Sequence, residues 1–170
     1  MALAVTDRMT EAAAAAGGHA QSAPAALSAL HHLLDHPSID QLAQVLGLTH
    51  SGTVRLVDRL EGDGHVRRLP GPDGRSLALS LTASGRRAAT RVAAARTQTL
   101  EQALAALHPA ERDTLDRLVG RLLVTMMRGP GATRWICRLC DTDACERSTG
   151  GCPLEQEARL RYHEGDAGGR

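Results

Sequence analysis

The chain has 170 residues, a formal net charge of +1 and 42% hydrophobic residues. That is the size of one domain with a small appendage. It is too short for a barrel enzyme or a two-domain dehydrogenase, and no apolar run reaches the roughly 20 residues of a membrane span. One Trp, one Tyr and no Phe leave Leu, Val and Ala to build the core, which favours helices.

In chain order, an Ala-rich helix is expected over residues 5–16, stopped by Gly17-Gly18. A second spans about 24–35, with Leu27, Leu30, Leu33 and Leu34 on one stripe and Pro37 ending it. Ser38 and Gln41 stand at capping-box spacing before a short helix with Leu42, Val45 and Leu46 inward and Gly47 at its stop. Thr49 reads as the N-cap of the next helix, residues 51–63, in which Val54, Val57 and Leu60 recur at three-residue steps. Two short helices joined by Gly47-Leu48-Thr49 carry the helix-turn-helix signature. The period then changes to strands over 65–69 and 76–81 around Pro70-Gly71-Pro72-Asp73-Gly74, with Leu77, Leu79 and Leu81 alternating against Ser and Ala. A hairpin at this place is a wing. Thr82 caps a long helix to about Leu107, and His108-Pro109 opens another with Leu115, Leu118, Val119, Leu122, Leu123 and Met126 on one side. Gly129-Pro130-Gly131 closes it. The fold class expected is mainly α: a winged helix-turn-helix with a two-stranded β wing and long helices behind it.

Charge is uneven. Residues 51–96 hold nine Arg against four acids, a local net of +5, which suggests a polyanionic partner. All 20 basic residues are Arg, as a GC-rich coding bias would produce.

The stretch Leu42-Ala43-Gln44-Val45-Leu46-Gly47-Leu48-Thr49 resembles the first motif helix and turn of the MarR family of winged helix-turn-helix transcriptional regulators. Residues Val54 to Glu61 are similar to that family's recognition helix, Asp73-Gly74-Arg75-Ser76 to its wing tip, and Leu79 to Gly85 to its return strand and following helix. The similarity runs from about Pro24 to Met127. It implies an obligate homodimer joined through its terminal helices, binding double-stranded DNA at a pseudo-palindromic operator, and often released by a small-molecule effector or thiol oxidation. On this reading residues 1–23 contribute to dimerisation, 24–82 form the DNA-binding domain, 83–131 the dimerisation helices, 132–164 a cysteine-rich appendage and 165–170 a flexible tail. The segment after Met127 departs from the family pattern, and residues 1–136 contain no Cys for an N-terminal peroxide sensor.

A helix suits the major groove, where base edges offer a full donor and acceptor code. His50, Ser51, Gly52, Thr53 and Arg55 occupy the first turns of the recognition helix and are the candidates for base contact. Arg75 at the wing tip suits the neighbouring minor groove, with Asp73 holding its guanidinium. Arg59, Arg67, Arg68, Arg86 and Arg87 suit phosphates or, for Arg59, a surface ion pair.

Every Cys lies near the end: Cys137, Cys140, Cys145 and Cys152, a C-x2-C-x4-C-x6-C run. No secretion signal pattern opens the chain and a cytoplasmic location is expected, where disulfides rarely persist. A four-thiolate metal site is the expectation. Zn²⁺ fits the two-residue spacing, an iron–sulfur cluster fits Cys152-Pro153, and metal-free reduced thiols or a thiol–disulfide switch are the third reading. Asp141, Asp143 and His163 are outside candidates as ligands. Trp135 and Ile136 are expected to pack the appendage on the dimerisation helices. His31 and His32 lie near the place of an effector pocket.

No phosphate loop, nucleophile elbow or His-Glu-x-x-His is present, so no enzyme is expected. The alternatives are an iron–sulfur redox or gas sensor acting on transcription, and a metal-binding protein-interaction module without DNA binding.

Overall fold

The computed structural model describes residues 10–15, 22–71, 76–129, 131–142, 145 and 149–162. Residues 10–15 are helical. Then follow α1 (Ala23–His32), α2 (Ile39–Leu46), α3 (His50–Gly62), β1 (Val66–Pro70), β2 (Leu77–Leu81), α4 (Ala83–Leu104), α5 (Pro109–Thr125), α6 (Ala132–Ile136) and α7 (Pro153–Tyr162). The expected architecture is observed: a mostly helical chain with one antiparallel two-stranded sheet, Val66 opposite Leu81 and Pro70 opposite Leu77.

Local chemistry sets the element ends. The Ser38–Gln41 capping box forms in both directions, Gly47 takes the left-handed conformation at φ 65°, and Thr49 and Thr82 accept from the amides of Gly52 and Gly85. α1 stops at His32, earlier than the apolar stripe suggests. The residue before a proline is disfavoured in the helical region, and His36, just ahead of Pro37, sits at φ 45°.

α1, α2, α3 and the sheet enclose one core in which Leu27, Leu42, Leu56, Val57, Leu60 and Leu79 are fully buried. The amide of Leu79 donates to the Pro37 carbonyl at 2.8 Å, which ties the wing to the segment before α2. The start of α4 is clasped to the start of β1. The Thr82 hydroxyl donates to the Gly64 carbonyl at 2.6 Å, and a Cβ at Gly85 would run into the His65 carbonyl. The long helix is therefore fixed to the head at its base.

Leu77 alternates with the buried Leu79 and Leu81 yet is 51% exposed; it faces Pro70 at the outer end of the hairpin, past the edge of the core. Leu118, Val119 and Leu122 of α5 and Met126, which caps its C-terminus, are exposed along one side. A second small cluster joins Met127, Cys137, Cys152, Leu154 and Ala158, with α7 lying close on α5, where Gly120 meets Pro153.

Candidate nucleic-acid interface

The buried stripe of α3 is Thr53, Leu56, Val57 and Leu60, not Val54, Val57 and Leu60. Steps of three fall behind a helix that turns every 3.6 residues, so the true stripe alternates three and four. The correction matters for Thr53. It is fully buried and its hydroxyl donates to the Thr49 carbonyl at 3.0 Å, so it does not stand on the surface offered to a groove.

His50, Ser51, Arg55 and Arg59 are exposed on the outer face, and Gly52 is half-buried. A Cβ at Gly52 would stand 3.1 Å from the Thr49 Oγ1 that caps the helix, so the glycine also serves the cap. His50 Nδ1 lies 2.6 Å from Asp40 Oδ1, joining the first turn of α3 to α2.

The two acids of α3 are engaged from the wing. Arg68 pairs with Asp58 at 2.6 Å and with Glu61, and its amide donates to Glu61 Oε1 at 3.2 Å. The hydrogen bond to Asp58 leads in holding its charge more firmly than usual, against some burial. Arg68, expected at a phosphate, instead braces β1 on α3. Its capture of Asp58 and Glu61 leaves Arg55 and Arg59 without a carboxylate partner among the described residues. Arg67 points to solvent, Arg86 donates to the Leu81 carbonyl at 2.9 Å, and Arg87 is exposed. Asp73 and Arg75 lie outside the described residues. The hairpin closes just before them, where the Gly71 amide donates to the Ser76 carbonyl at 2.8 Å. The brace was not foreseen; its signal is Asp58 and Glu61 at i, i+3, which share one helix face.

A cleft of about 860 Å³ opens between α2 and the end of α5, lined by Gln41, Gln44, Met126, Arg128, Arg134 and Trp135 among others. Trp135, expected to pack the appendage on the dimerisation helices, lines this cleft with Met126 and also reaches the turn of the helix-turn-helix. Its indole nitrogen comes within 3.2 Å of where a Cβ on Gly47 would be, under the helix-turn-helix turn, and the Arg138 guanidinium lies 4.9 Å over its ring. Ile136 does pack with α5 residues, in the cysteine cluster.

Cys137 and Cys152 are buried and Cys140 and Cys145 half-buried, all four as thiols within that cluster. The Cys140 amide donates to the Cys137 carbonyl at 2.8 Å, closing the expected tight turn. Among the described residues no three His, Cys, Asp or Glu side chains surround a common point at metal-binding reach. Asp143 and His163 lie outside the described residues, and Asp141 contributes its carbonyl to the Cys145 amide. His31 and His32 meet edge to face, with ring centroids 4.5 Å apart. Among the described residues, no helix is long and apolar enough to cross a membrane.

Residues 23–76 match the sequence model of the MarR family. No curated protein matches the chain significantly. Among solved structures, the chain resembles a probable transcriptional regulator from Pseudomonas aeruginosa at 28% identity and TM-score 0.55, covering 71% of this chain and 92% of that one. It resembles the transcriptional repressor CouR, solved bound to a 23-mer DNA duplex, at 26% identity and TM-score 0.61, covering 75% and 87%. A MarR family protein from Bacillus stearothermophilus shares the fold at TM-score 0.67 and 24% identity, over 75% and 88%.

Proposed function

We propose that this chain is a DNA-binding transcriptional regulator of the MarR type, acting as a homodimer on a pseudo-palindromic operator and not as an enzyme. The observation that carries the reading is the division of α3. Its apolar stripe is spent on the core, its acids are drawn off by Arg68, and His50, Ser51, Arg55 and Arg59 remain outward. A helix so divided presents donors to a major groove and keeps its carboxylates off the phosphates.

The first turn of α3, with Arg55, supplies base contacts. Arg59 and Arg67 supply phosphate contacts, and Arg75 at the wing tip, oriented by Asp73, enters the minor groove. The exposed stripe of α5 supports the second copy: Leu118, Val119, Leu122 and Met126 form an apolar face of the kind that subunits bury. The cleft beside Trp135 joins the reading head to the end of α5, so a small effector there would bias the angle between them.

Fluorescence anisotropy on the DNA upstream of the protein's own gene, over a salt series, tests this. The expected result is sequence-selective binding by two chains, with the logarithm of the affinity falling linearly in the logarithm of salt. Arg75→Ala, which removes one arginine from each of the two chains, is expected to reduce that slope by about two. Equal affinity for unrelated duplexes, or none for any, would overturn the reading and leave the protein-interaction module.

A further inference from the structure

The cysteine segment touches both halves of the molecule. Arg96 of α4 reaches into it and donates to the Leu139 carbonyl, between Cys137 and Cys140. The Thr142 hydroxyl donates to the His32 carbonyl at the end of α1, at 3.4 Å. Leu33, the next residue, packs in the same cluster as the four thiols. The short loop between Cys137 and Cys145 is thus fastened to the head at one point and to the stem at another.

Two features show this junction prepared for something more. Arg96 is half-buried, and its guanidinium is held at the backbone of this loop, next to the first pair of cysteines. His32 Nε2 is buried with no hydrogen-bond partner among the described residues, an unmet group at the contact the loop makes with α1.

We propose that Cys137, Cys140, Cys145 and Cys152 bind one Zn²⁺ per chain, and that loading tightens the loop between α1 and α4 and so resets the reading head on its stem. Four thiolates at about 2.3 Å from one ion would carry a net negative charge that Arg96 is placed to offset. The sulfurs share one apolar cluster but do not yet surround a point, so an ion must draw them in. The part that moves carries the Leu139 carbonyl and the Thr142 hydroxyl, the grips on α4 and α1. The Cys137–Cys140 pair, closed into one turn by the Cys140 amide and the Cys137 carbonyl, suits a single ion. The coupling to DNA rests on the function proposed above; the metal site does not.

The test uses the full chain purified without oxygen or chelator. Elemental analysis and a visible spectrum should give about one zinc per chain in a colourless protein, and Co²⁺ in its place should show thiolate charge-transfer bands. Cys137→Ser and Cys152→Ser should each hold less than about a tenth of that zinc. Their far-UV circular dichroism should be kept, because the head has a core separate from the cysteine cluster. Should a variant not fold, wild-type protein stripped by chelator and reloaded gives the same readout. Zinc that stays substoichiometric after incubation with equimolar Zn²⁺, or a brown protein with iron and sulfide, overturns the site. Stripped and reloaded protein should differ at least about fivefold in operator affinity. Equal affinities overturn the coupling alone, and no DNA binding in either state overturns the proposed function while the metal readout stands.

Discussion

Arg55 and Arg68 are both arginines of the basic segment, yet their surroundings give them different work. Arg55 is exposed on α3, while Arg68 lies across Asp58 and Glu61. Arg55→Ala is expected to lower operator affinity by about 1–3 kcal/mol per half-site, twice that for the dimer, and to relax preference at one base pair in each half-site, as anisotropy on single-base operator variants would show. Arg68→Ala should lower thermal stability by about 1 kcal/mol or slightly more, since its two pairs are only partly shielded from water. It should also weaken DNA binding by leaving two carboxylates facing the phosphates. Gly47 is a third particular case. Its left-handed backbone and the Trp135 indole beneath it mean that Gly47→Ala should cost about 1–2 kcal/mol, measurable as a lower denaturation midpoint.

Elements whose ends are set by neighbouring residues were legible in the sequence. Ser38–Gln41, Gly47, Thr49 and Thr82 each act within four residues, and each forms the cap expected of it. What was not legible depends on the chain folding back. The Arg68 brace spans seven and ten residues, and the Trp135 contact with the Gly47 turn spans far more. Thr53 was misplaced for a simpler reason: steps of three were read where three and four alternate, which put a core residue on the DNA face. The α5 stripe was read correctly as apolar, and it is exposed in the single chain, the face that the proposed dimer would cover. Leu122, 64% exposed on that stripe, is the position to probe. Leu122→Asp should leave the head folded, shift sedimentation from dimer to monomer, and with it lose most operator affinity, because each half-site alone contributes only part of the binding energy.

At the scale of the molecule, a reading head is fixed at the base of a long helix by Thr82 and Gly85, and a cysteine segment bridges the two. The first arrangement fixes α4 at its base, and the second is the junction at which the proposed Zn²⁺ would act. On the proposed function, two heads carried by a homodimer meet DNA on one face, about one helical turn apart. Selection from a random duplex library by the full-length protein tests this most directly. The enriched sites should be inverted repeats whose half-site centres lie about 10 base pairs apart. Enrichment of a single unrepeated site, or of no sequence at all, would contradict it.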